Sequence, residues 1–158
     1  MARAFLGHEC YTKLMDYLTE AERIIESNDL PPKLLVRYML NCAEYVNMFR
    51  TKNNAIREIA LNLVKLWLDN KQIDMDKLEE IAYQTIIGEA YTFNIAYAVV
   101  CPQNANRAAI SALYNISYIV SFEGQQNRNH CIAKCYDLLL QIINEMSELE
   151  KLLLDIRI

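Results

Sequence analysis

Apolar residues recur along this chain with the spacing of an α-helix. Leu14, Leu18, Ala21 and Ile25 fall three or four positions apart, which sets them on one helical stripe. They predict a first helix over 9–28, ended by Asn28 and Asp29. Pro31-Pro32 open a second over 32–51, since proline is tolerated in a first turn whose N–H groups lack helical partners. Its inner face is Leu35, Met39, Cys42, Val46 and Phe49. Asn53 or Asn54 can cap a third helix by accepting from a free backbone N–H. Ile56, Ile59, Ala60, Leu63, Leu66 and Trp67 form its apolar stripe, and Asp69-Asn70-Lys71-Gln72 reads as a loop.

Asp74 or Asp76 caps a fourth helix, with Asp76 and Glu79 at the spacing of an imperfect capping box. Its stripe, Leu78, Ile81, Ala82, Thr85, Ile86, Ala90, Phe93, Tyr97 and Val100, predicts one element up to the stop at Pro102. Gly88 inside it marks a kink or a close helix approach. A fifth helix follows over 105–122, capped by Asn104 and ended near Gly124, and a sixth over 127–156. The sixth carries Ile132, Cys135, Leu139, Ile142, Met146, Leu149, Leu153 and Ile156; its C-terminal part is long enough to reach past a bundle to a partner. Between Ile81 and Phe122 only Glu89 and Arg107 are charged, and small residues accumulate. A helix with few charges is buried on most sides. The expected fold is therefore all-α: a single domain over 1–158, about six helices, with a central hairpin formed by helices four and five. Glu89 is expected to be partly buried and to need a partner, with Arg107 a candidate.

Composition agrees. Hydrophobic residues make up 53% of 158, enough for one core, and three glycines and three prolines leave room for few turns. A net charge of −4 argues against general binding to nucleic-acid backbones, which needs clustered bases. The charge is blocked: residues 1–29 carry six acids and three bases, 30–65 two acids and six bases, 66–100 six acids and two bases. Such blocks fit a basic partner or a patterned solvated surface. No run of about 20 apolar residues offers a membrane span. The nearest, Ala108 to Phe122, contains Ser111, Asn115, Ser117 and Ser121. The start of the chain is too polar for a signal peptide. Five cysteines in apolar surroundings read as reduced thiols in a cytoplasmic protein.

Chemistry-bearing groups do not assemble. His130-Cys131-x-x-x-Cys135 supplies one close ligand pair but no second, and zinc needs about four ligands. A nucleophilic thiol needs a neighbouring base, a serine nucleophile its sharp elbow, and a phosphate site a glycine-rich loop; none is evident. Asp76, Glu79 and Glu80 cluster on helix four, and Glu145, Glu148 and Glu150 on helix six. Without Glu-x-x-His they read as solvated faces rather than a di-metal site. No metal, cofactor or catalytic residue is expected. Ten tyrosines are the unusual feature. Tyrosine joins apolar area to a polar handle and suits interfaces as well as cores. Tyr45 beside Glu44, and Tyr83 near Glu79 and Glu80, are the choices for an interface.

The order Cys42-Ala43-Glu44-Tyr45-Val46, then Ala55-Ile56-Arg57-Glu58-Ile59-Ala60, then Trp67 and two small-residue, tyrosine-bearing helices resembles immunity proteins of bacterial polymorphic toxin systems over about residues 34–122. The resemblance implies a non-enzymatic, cytoplasmic protein that neutralises a cognate toxin by occlusion. For a basic toxin, the expected contacts are Asp74, Asp76, Glu79, Glu80, Tyr83, Glu44 and Tyr45. A helical inhibitor or adaptor from a phage or an effector locus, binding host machinery, is the alternative. A helical enzyme using a buried Glu89 is a third, and self-association is left open.

Overall fold

The computed structural model describes residues 17–48, 54–86, 88–121 and 125–157, with 125–127, 150–151 and 153–157 as backbone only. Among the described residues the chain is all-α, with seven helices rather than about six. Helix α1 is described over 17–27, α2 spans Pro32–Asn47, α3 Ala55–Leu68, α4 Met75–Gln84, α5 Ala90–Val100, α6 Ala105–Val120 and α7 Gln125–Arg157. A short 3-10 turn, Pro102–Asn104, joins α5 to α6. The expectations that fell on 9–16, Phe49, Asn53 and Gly124 lie outside the described residues.

The extra helix comes from division of the expected fourth one. After Gln84 the β-branched Thr85 turns its hydroxyl back to the Ala82 carbonyl at 2.7 Å, a local bond that competes with helix continuation. Gly88 then takes φ +83°, a left-handed conformation that costs glycine no Cβ clash. The chain restarts at Ala90 with its helical phase reset. Ala90, Phe93, Tyr97 and Val100, expected inside, are half-buried; Tyr91, Thr92, Ile95, Ala96, Ala98 and Val99 are buried instead.

The central hairpin is accordingly α5 with α6. Helix α5 packs against α2, α3, α4 and α6, and α6 against α2, α5 and α7. Enclosure of α5 by four neighbours explains why it carries no charge. Alanines at 96, 98, 105, 108, 109 and 112 are all buried, which suits close helix approach. One hydrophobic cluster runs through every helix, from Leu18 and Ile25 through Leu35, Met39, Val64, Leu78, Ile95 and Ile116 to Ile132, Leu139 and Ile142. Each large aliphatic side chain buried there contributes roughly 1.5–3 kcal/mol.

Helix ends follow local chemistry. Asn54 caps α3 by accepting from the Arg57 N–H at 3.1 Å, and Asp74 caps α4 by accepting from the Lys77 N–H at 3.2 Å. Helix α3 closes with Asn70 at φ +61°. The Asn70 and Lys71 N–H groups return to the carbonyls of Trp67 and Leu66, the two bonds of a Schellman ending. Asn104 precedes α6 as expected but makes no side-chain cap; its amide donates to the Tyr97 hydroxyl at 3.2 Å.

Helix α7 runs 33 residues, about 50 Å at 1.5 Å per residue. Its Leu139 and Ile142 are buried, Met146 is half-buried, and Leu149 and Leu152 are exposed. No helix among the described residues is long and apolar enough to cross a membrane.

Candidate functional site

Helix α4 is held by Leu78 and Ala82, which are buried. Their spacing of four turns one side of the helix inward and leaves Asp74, Asp76, Glu79, Glu80 and Tyr83 exposed. The carboxylates differ in role. Asp74 is engaged as the cap, whereas Asp76, Glu79 and Glu80 make no ion pair or side-chain hydrogen bond among the described residues. Glu79 and Tyr83 stand one turn apart and share a side of α4.

Tyr83 is 60% exposed and begins an aromatic row. Its ring lies 6.3 Å from Phe93, which lies 5.7 Å from Tyr97 in a stacked arrangement. Such separations are within the range of favourable aromatic pairs. The row therefore crosses from α4 onto α5. Beyond it, Phe93, Asn94, Tyr97, Asn104, Arg107, Ala108 and Ser111 line a small cavity of about 170 Å³ between α5 and α6.

The second expected contact pair lies elsewhere. Glu44 on α2 pairs with Lys65 of α3 at 3.0 Å, both side chains about half exposed. Tyr45 is half-buried and packs against the core. Helix α3 packs on both α2 and α4. The fold thus brings Asp76, Glu79, Glu80 and Tyr83 together on α4, while Glu44 and Tyr45 stand on α2.

Glu89 is only 4% exposed. Its partner is Arg57, not Arg107: Arg57 Nη1 lies 3.1 Å from Glu89 Oε1, and the Thr92 hydroxyl donates to Oε2 at 3.3 Å. Arg57 stands in the first turn of α3 and Glu89 at the N-terminus of α5, so the pair joins two helix starts. Negative charge at the start of α5 also complements the helix dipole. Sequence reasoning missed Arg57. The available signal was the alternative stripe Arg57, Ala60, Leu61 and Val64, all buried, with a cation on an otherwise apolar face.

The thiols are separated from the only described histidine. His130 is exposed while Cys131 and Cys135 are buried. Desolvation pushes the Cys131 thiol up to about 11. A hydrogen bond with Cys42, then burial, raises Cys135 well above the ordinary thiol value. Both are held as neutral thiols, the unreactive form. Among the described residues no three His, Cys, Asp or Glu side chains gather to hold a metal.

No family model, curated protein or solved structure matches this chain.

Proposed function

We propose that this chain is a non-enzymatic protein-binding module of the immunity type, which neutralises a cognate bacterial toxin by occlusion. The observation that carries the reading is the outer side of α4. Three exposed carboxylates without internal partners flank an exposed tyrosine, on a helix anchored by only two buried side chains. Unpaired carboxylates keep their field for a partner, and tyrosine supplies interface area with one polar end. The same side chains suit a basic toxin, for which complementary charge chiefly accelerates encounter. The Arg57–Glu89 pair supports the non-enzymatic part, because a carboxylate locked in a buried ion pair is poorly placed for acid–base work.

The experiment is a charge reversal that spares the cap. Asp76→Lys, Glu79→Lys and Glu80→Lys are introduced together, with Asp74 left in place. Where a toxin gene lies beside the gene for this chain, association with its product is followed at low and high salt. The expected result is an association rate lower by about tenfold or more at low salt, with the gap narrowing at high salt. An unchanged rate refutes this surface, and failure of the wild-type chain to protect cells from that toxin refutes the function.

A helical adaptor for host machinery is the second reading, favoured by exposed Leu149 and Leu152 near the end of α7. Exposed apolar residues on a helix suit insertion into a partner's groove. A prophage or secretion locus around the gene, in place of a toxin gene, would select it.

A further inference from the structure

The far end of the aromatic row has the opposite polarity to its α4 end. Between Ile81 and Phe122 the two charged residues are Glu89 and Arg107, and Glu89 is consumed in the core by Arg57. Arg107 is therefore the single charge that this stretch presents to solvent. It is exposed, and its side chain makes no ion pair or hydrogen bond among the described residues. It lines the cavity between α5 and α6, whose other walls include the aromatic rings of Phe93 and Tyr97 and the polar residues Asn94, Asn104 and Ser111. At about 170 Å³ the cavity has room for one side chain rather than a folded element.

We propose that the α5–α6 cavity receives an acidic side chain of a protein partner, its carboxylate on Arg107 and an adjoining apolar group against Phe93 and Tyr97. Arginine's planar fork matches a carboxylate in two parallel hydrogen bonds. Tyrosine and arginine at a concave spot are also the residues in which binding energy concentrates, and small polar neighbours add adaptable hydrogen bonding. The groove carries one cation and no accompanying acid, so charge complementarity selects a carboxylate over an ammonium group. The proposal extends the protein-binding reading and rests on it. It gives the interface two ends of opposite sign, with acids on α4 meeting a basic patch and Arg107 meeting an acid.

The test uses the full chain and a random 12-residue peptide library displayed on phage. Selected sequences are expected to be enriched in Asp or Glu next to an aromatic or aliphatic residue. A synthetic peptide of that sequence should lose about tenfold or more in affinity to the Arg107→Glu protein, a difference of about 1.4 kcal/mol. It should regain affinity for that protein when its own acid is changed to Lys. Ser111→Trp, which fills the cavity without touching the charge, should also weaken the wild-type peptide. Selection without acidic enrichment, or peptides that bind Arg107→Glu as tightly as the parent, would overturn the proposal. The α4 triple reversal should leave peptide affinity unchanged, so a failure of the α4 surface, read from toxin association, is distinguishable from a failure here.

Discussion

Two sets of carboxylates, nine to thirteen positions apart in the chain, meet opposite fates. Glu89 is enclosed at the start of α5, where Arg57 and Thr92 satisfy it. Asp76, Glu79 and Glu80 stand on the exposed side of α4 with no internal partner among the described residues. The same functional group is thus a structural joint in one place and free surface charge in the other. What separates them is the break at 85–89. By ending α4 at Gln84 and restarting the helix at Ala90, it leaves Glu89 buried while the preceding acids stay outside. A buried charge must be matched where it lies, whereas solvated acids remain available for an external partner.

The sharpest way to break this contrast is at the buried member. Glu89→Ala leaves the Arg57 guanidinium without its carboxylate and should cost about 3–5 kcal/mol, measured by urea denaturation. Replacing both members, Arg57→Met with Glu89→Leu, should recover much of that loss, because a well-packed apolar pair can equal a buried ion pair. If the single variant loses less than 1 kcal/mol, the joint is not structural. Asp74→Ala comes next, at about 0.5–2 kcal/mol, since it removes the α4 cap; the effect should appear as faster amide exchange in the first turn of α4. The triple reversal of Asp76, Glu79 and Glu80 should stay within about 0.5 kcal/mol of the parent, with its effect on association instead. Tyr38→Phe is the smallest. The Tyr38 hydroxyl is fully buried beside Cys42 and Cys135 and has no well-formed hydrogen-bond partner. Removing an unmade bond should leave stability unchanged or slightly raised.

Much of the bundle was legible in the sequence because helical periodicity and end chemistry are local. Pro31-Pro32, Asn54, Asp74 and Pro102 mark boundaries that the structure keeps. The break before α5 was less legible. Leu78, Ile81, Ala82 and Thr85 continue in phase to Ile86 and Ala90 as if one helix persisted, and Gly88 could equally have marked a kink. Exposure of the α4 acids could be read from the spacing of Leu78 and Ala82. The aromatic row could not, since Tyr83, Phe93 and Tyr97 align only through the angle at which α5 leaves the break. Nor could the partner of Glu89, because Arg57 lies 32 positions away and periodicity carries no information on which helix packs against which.

One corner of the molecule supplies its own reporter. The Lys33 ammonium sits 5.1 Å above the ring of Trp67 and also donates to Asn70 Oδ1, fastening the end of α3 to the start of α2. Trp67 is the sole tryptophan of the chain and is half-buried. Its fluorescence therefore reads a single, known location, where loosening of the α3–α4 connection would wet the indole and shift its emission to the red. Unfolding of this corner can accordingly be followed optically without any attached dye.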